Sequence, residues 1–297
     1  MSKPECGQAS FWSAALNSST EIASASSARH ASRTRPRLGL FALAFSLLVS
    51  FHAAVAVPLS HQNALRIGRK IWQNECGGTV AGLTSWNTGE NFASLGIGHF
   101  IWYPAGARGP FEESFPEFIR FAQKRGAKLP ALLLARKSEV CPWNSRTEFL
   151  AATASEPLKE LRTFLADTID LQADFLVNRM RAALSKMQAA APATERAQIE
   201  EQFNRLASSA QGNYALIDYV NFKGEGVLST ERYQGRGWGL LQVLEGMSGN
   251  NSGAAASREF ADSAAKVLRR RVELSPLERN ERRWLPGWLN RVASYRP

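Results

Sequence analysis

The sequence predicts a mainly α protein of the α+β class, with one small β-element near the start of its folded part. Three observations carry that expectation. From residue 157 onwards, apolar side chains recur at steps of three and four, the spacing of one helix face. Only residues 82–104 combine aromatic and β-branched side chains with turn chemistry. No internal repeat and no low-complexity tract follows residue 57. At 297 residues and 44% apolar content, the chain can build one large domain or two small ones.

A first helix is expected over 61–75. Ser60 can cap it, Leu65, Ile71 and Trp72 anchor it, and Gly77 with Gly78 end it. "GLTSWNTGENFASLGIGHFIWYP" (82–104) follows as a β-hairpin or short sheet, turning at "NTGEN". Within it, "ASLGIGHF" (93–100) reads as a strand. A regular strand puts Leu95, Ile97 and His99 on one face and Ser94, Gly96 and Gly98 on the other. That second face could floor a cleft, or a helix could lie close on its glycines. "ESFPEFIRFAQKRGAK" returns to helix.

Residues 157–209 read as a helical arm, with Leu158, Leu161, Leu165, Ile169, Leu176, Met180, Leu184 and Met187 as its apolar stripe and a break at Pro192. "GNYALIDYVNFKGEG" (212–226) is a buried helix ending in glycines. "ERYQGRGWGLLQVLEGM" (231–247) is a Gly/Trp turn feeding another helix. "SREFADSAAKVLRRRVELSP" is amphipathic, its "VLRRRVE" (267–273) read as a solvated basic face, and "LERNERRWLPGWLNRVASY" closes the chain.

The compartment is read from residues 38–56, a short apolar run preceded by Arg33, Arg35 and Arg37 and ending in Ala54, Val55 and Ala56. This is the secretory pattern, and the run is short for a membrane span. Residues 1–56 are therefore expected to be a leader and signal segment, and 57–297 the exported domain, periplasmic or secreted. The other outcome is an uncleaved run that anchors the chain in the inner membrane. Cys6 falls in the leader. Cys76 and Cys141 remain as an even pair and a candidate disulfide in an oxidising compartment. The histidines, His30, His52, His61 and His99, are scattered without metal spacing, and no cofactor is implied. The net charge of +10 favours an anionic partner. Export and the lack of a recognition motif argue against nucleic acid and leave a wall polymer or membrane surface.

Two carboxyl groups stand out. Glu75 ends the first helix, at the negative end of its dipole, with Trp72 one turn back. Both surroundings disfavour the charged form, as a general acid requires. Glu90 lies in the polar turn of the hairpin and is suited to remain a carboxylate. Two carboxyls in contrasting environments are the arrangement that splits a glycosidic bond.

A glutamate ending the first helix, a β-hairpin with an acidic residue and then "SLGIGH" resemble the phage-type lysozymes (endolysins) of the lysozyme-like superfamily. The resemblance implies a lysozyme-like helical domain with a small β-hairpin, to which 157–209 adds an extra arm. It puts Glu75 on the catalytic glutamate, Ser94 on the active-site threonine and His99 on the histidine of the motif. Glu90 falls near the hairpin aspartate, not on it. "GRGWGLLQVL" is similar to the Gly-x-Gln segment of lytic transglycosylases, which implies Gln242 in the sugar cleft. Tyr233 and Trp238 are sugar-stacking aromatics or core. The implied activity is that of a muramidase or lytic transglycosylase on peptidoglycan. Glu75 would protonate the glycosidic oxygen, with Glu90 or a Ser94-held water on the opposite side. Two other readings stay open: a wall-binding protein that keeps the fold without activity, and a glycosidase for another amino-sugar polymer such as chitosan, which would need a locally acidic cleft.

Overall fold

Helix α1 (His61–Cys76) forms where its caps dictate. Ser60 is extended and its hydroxyl accepts the Asn63 N–H. At the other end Gly77 turns left-handed at φ 61°, and the N–H groups of Gly77 and Gly78 return to Gln73 and Trp72. Glu75 is thereby fixed in the last turn. This computed structural model describes residues 59–297 except 110 and 136–139. The leader, its apolar run, Cys6, His30 and His52 lie outside the described residues. Among the described residues no helix is long and apolar enough to cross a membrane.

Strands β1 (Thr84–Ser85), β2 (Ala93–Leu95) and β3 (Phe100–Trp102) follow as an antiparallel sheet in chain order. Ser94 pairs with Ser85 on one side and Ile101 on the other. The expected strand over 93–100 is corrected here. β2 stops at Leu95, and Gly96 to His99 form the turn into β3, closed by a His99 N–H to Gly96 O bond of 3.2 Å. Gly96 at φ 72° and His99 at φ 49° are both left-handed, so side-chain alternation does not run through this stretch.

The remainder is helical: α2 (Phe115–Lys124), α3 (Ala131–Ala135), α4 (Arg146–Ala151), α5 (Glu156–Asp167), α6 (Ile169–Ala190), α7 (Arg196–Ala207) and α8 (Ala210–Lys223). A second, two-stranded ribbon of β4 (Arg232–Tyr233) and β5 (Arg236–Gly237) precedes α9 (Leu240–Glu245), α10 (Ala254–Leu274) and α11 (Leu285–Ala293). Mainly helical architecture with a small antiparallel sheet is therefore the fold class, and the ribbon is an addition that the Gly/Trp turn concealed.

The segment 157–209, expected as a helical arm, is packed into the domain. Its central helix, α6, packs on α1, α2, α7 and α8. Gly68 of α1 allows the approach, because a Cβ there would lie 2.7 Å from the Cβ of Ala173. Helix α6 buries Ala173, Phe175, Leu176, Val177, Met180 and Met187 together with the polar Gln172. Phe175 meets Phe100, Phe118 and Phe121, joining α6 to the sheet and to α2. The expected solvated face at 267–273 is interrupted as well. Arg271 is 2% exposed and binds Glu281 through two nitrogens, at 2.7 and 2.8 Å.

The expected disulfide is absent, since Cys76 and Cys141 are not joined to one another. Their neighbours differ: the Cys76 thiol donates to Gly96 O at 3.5 Å, while the Cys141 backbone bridges Pro104, just beyond β3.

Candidate active site

The turn after β2 sits under two helices. Gln172 of α6 accepts the Ile97 N–H at 2.8 Å and donates to Leu165 O and the Thr168 hydroxyl, so each end of its amide is bonded. A Cβ at Gly96 would collide with that amide, and one at Gly98 would stand 2.7 Å from the Phe100 ring and 2.8 Å from Asn221 Oδ1. The glycines therefore admit helices α6 and α8. They do not leave a bare strand face, and the expectation of a glycine floor gives way to close packing.

Beside this turn lies a cleft whose lining includes Glu75, Ser94, Gly98 and His99. Three of the residues singled out in the sequence thus meet. Glu75 is 2% exposed, with surroundings unlike those expected from Trp72. The Trp72 indole is turned to Thr79 O at 3.2 Å. Glu75 instead receives Arg291 of α11, whose Nη2 lies 2.7 Å from Oε1, and Asn221 at 3.4 Å. His99 Nδ1 is 3.7 Å from Oε2. The same guanidinium holds Asp218 of α8 by two bonds of 2.8 Å, and Tyr295 donates to Asp218 at 2.6 Å. Arg291 is raised well above its ordinary range: burial opposes its charge, and Asp218 and Glu75 more than offset that. His99 is lowered, by burial first, with Glu75 opposing and Arg291 assisting. Its imidazole is neutral at pH 7, and its Nε2 lies 3.4 Å from the Ser85 hydroxyl.

Glu90 stands behind Ser94 and does not line the cleft. Its Oε2 accepts Asn87 at 3.1 Å and the Ser94 hydroxyl at 3.3 Å. Its place is to orient Ser94, which itself lines the cleft.

Gln242, Tyr233 and Trp238 are not in the cleft. Gln242 caps α9: its Oε1 accepts the Gly239 N–H at 3.1 Å and its amide donates to Gly226 O at 3.2 Å. Tyr233 packs on Trp238 with ring centroids 4.6 Å apart and gives its hydroxyl to Glu281 at 2.8 Å. Trp238 is 2% exposed. These aromatics are core, and no face of Trp238 is available for a sugar.

The cleft has further lining residues that no sequence motif marks. Glu112, Glu225 and Glu231 line it with Arg179 and Lys223. Lys186 Nζ bridges Glu112 at 2.8 Å and Glu225 at 3.1 Å, and Arg179 reaches Glu112 at 3.3 Å. Burial would raise Glu112, but those two cations hold it below the usual range. Lys223 is 1% exposed with its ammonium 3.7 Å from the Trp288 ring centroid. Burial and then Arg271 push it well below the usual lysine range. "GEG" and "STE" around residues 225 and 231 gave no local signal of this, because the grouping comes from α6 and the loop before α2. The cleft is narrow, about 60 Å³, room for a few water molecules.

Among the described residues no group of three or more potential metal ligands comes together. Comparison of the chain with protein-family models, with curated proteins and with solved structures finds no match in any of the three.

Proposed function

We propose that this protein is an exported glycosidase of the lysozyme-like kind, cleaving the glycan of peptidoglycan by carboxyl chemistry. One observation supports it above the others. Glu75, Ser94 and His99, chosen from the sequence for this chemistry, share one cleft with a further set of buried carboxyls. Glycosidic cleavage needs two carboxyl groups in unlike environments, and the lining of this cleft includes an Arg291-paired Glu75 and the differently surrounded Glu112, Glu225 and Glu231. Net positive charge at +10 favours docking on an anionic wall polymer.

The test is muropeptide release from purified sacculi by the wild-type protein beside Glu75→Gln. Release by the wild type and at least a hundredfold less by the variant is expected. Equal release by both removes Glu75 from the chemistry. Chitosan belongs in the same substrate panel as a contrast, because Lys186 and Arg179 neutralise Glu112 and Glu225 and leave little local acidity for a cationic glycan.

A second reading is favoured by the double use of Arg291. Arg291 is shared between Glu75 and Asp218, an arrangement that serves the fold alone and that a wall-binding protein without activity would keep. Co-sedimentation with sacculi and no fragment release by the wild type would establish that reading instead.

A further inference from the structure

The cleft contains a carboxyl group that none of the sequence motifs pointed to. Glu231 follows α8 and leads into β4, is 5% exposed and faces the cleft. Gly224, at φ 77°, brings bare backbone against it, and a Cβ there would stand 3.2 Å from both Glu231 oxygens. Among the described residues, no donor and no cation is bonded to that carboxyl. The nearby cations are engaged elsewhere: Lys186 by Glu112 and Glu225, and Arg179 by Glu112. A carboxyl only 5% exposed, with no bonded donor and set beside two carboxylates, holds its proton more tightly than a free one.

Resting on the glycosidase reading above, we propose that Glu231 is the proton donor of this cleft and that Glu75 is the carboxylate working with it. This reverses the role that the end of α1 suggested for Glu75. The ion pair with Arg291 suits Glu75 to the charged form. Burial first, then the Glu225 and Glu112 carboxylates, push Glu231 up to about 8, against the pull of Arg271 and Arg179. Tyr103 also feels the Glu231 charge but is itself raised out of the working range, by burial.

In the proposed step the Glu231 O–H bond breaks as its proton passes to the glycosidic oxygen. The C1–O electron pair leaves with that oxygen, which departs as a free hydroxyl. A water oxygen bonds to C1 and its proton passes to Glu75. One water is consumed, and exchange with solvent returns a proton to Glu231 and removes one from Glu75.

The experiment uses the wild-type protein and Glu231→Gln on two substrates. One is purified sacculi. The other is an umbelliferyl glycoside of an N-acetylglucosamine oligomer, whose leaving group needs little help from a proton. Turnover of sacculi should fall 10²- to 10⁴-fold in the variant, as for loss of a general acid, and turnover of the aryl glycoside less than tenfold. The wild-type rate should fall above a pH of about 8, and the variant should lack that limb. A carboxyl ¹³C signal titrating in the same range should be present in the wild type and missing in the variant, a reading that needs no activity and also shows the variant to be folded. Wild-type cleavage with Glu231→Gln within twofold on sacculi, or no carboxyl titrating above pH 6, overturns the role of Glu231 and leaves the glycosidase reading standing. No cleavage by the wild type on either substrate overturns both.

Discussion

Replacing Glu281 by Gln removes the buried carboxylate that ties α10 to the turn before α11. Glu281 is 1% exposed and receives Arg271 through two bonds, Tyr233 at 2.8 Å and Arg279 at 3.1 Å. Burial alone would raise this carboxyl, but the hydrogen bonds and charge of Arg271, then Tyr233 and Arg279, bring it down to about 2 from 4.5. A depressed carboxyl stabilises the fold above its unfolded value and loses that contribution as pH falls towards its folded value. The difference between those two values is worth about 3 kcal/mol at pH 7, at 1.36 kcal/mol per pH unit. The same two values predict a contribution that shrinks to about 1 kcal/mol at pH 3. Urea unfolding of wild type and Glu281→Gln at pH 7, 4 and 3 measures the gap directly. A gap that stays constant across the three, or one below about 0.5 kcal/mol at pH 7, would refute the account of this ion pair. It would also loosen the claim that Tyr233 and Trp238 are held as core.

Three further outcomes are expected. Glu231→Gln should behave with the opposite sign: a carboxyl raised from 4.5 to about 8 costs the wild type stability as pH rises through that window, so by pH 9 the variant should be the more stable, by up to about 5 kcal/mol in urea titrations. Gly98→Ala should lower stability by about 1–3 kcal/mol, read as a drop in melting temperature, because the new methyl meets Phe100 and Asn221 at 2.7 and 2.8 Å. Proteolytic mapping of the unreduced protein should yield no peptide joining Cys76 to Cys141, and recovery of such a peptide would contradict their separate placement.

What could be read in advance divides along the reach of the interaction. Helix α1 was legible to within one residue, since Ser60 and Gly77 act on their own turn of chain. Helix α8 and the break at Pro192 were legible for the same reason. Ribbon β4–β5 was not, because two-residue strands carry no period. Its turn, with Gln234 and Gly235 both at positive φ, was signalled only by one glycine among several. The central position of α6 escaped notice because its buried residues occupy more than one face, which blurs the stripe that periodicity detects. At the site, Glu75, Ser94 and His99 were found from local pattern. Arg291 and Asp218 were not, because they meet across 73 residues with no motif between them. Glu231 was hidden further still. Its state is set by burial first and then by Glu225 and Glu112, and Lys186 and Arg179 are drawn off by those same neighbours.

The reach of Arg291 also has a temporal meaning. Glu75 is made early and its guanidinium partner comes from α11, more than two hundred residues later. At roughly 5–20 residues per second of synthesis, the carboxylate waits about 10–40 s for the group that allows it to be buried. A lone charge is too costly to enclose, so α1, the turn after β2 and α8 cannot settle around Glu75 while the chain is still growing. Order of synthesis and order of folding are therefore separated in this protein, and a nascent chain lacking α11 carries the residues of the cleft without the cleft.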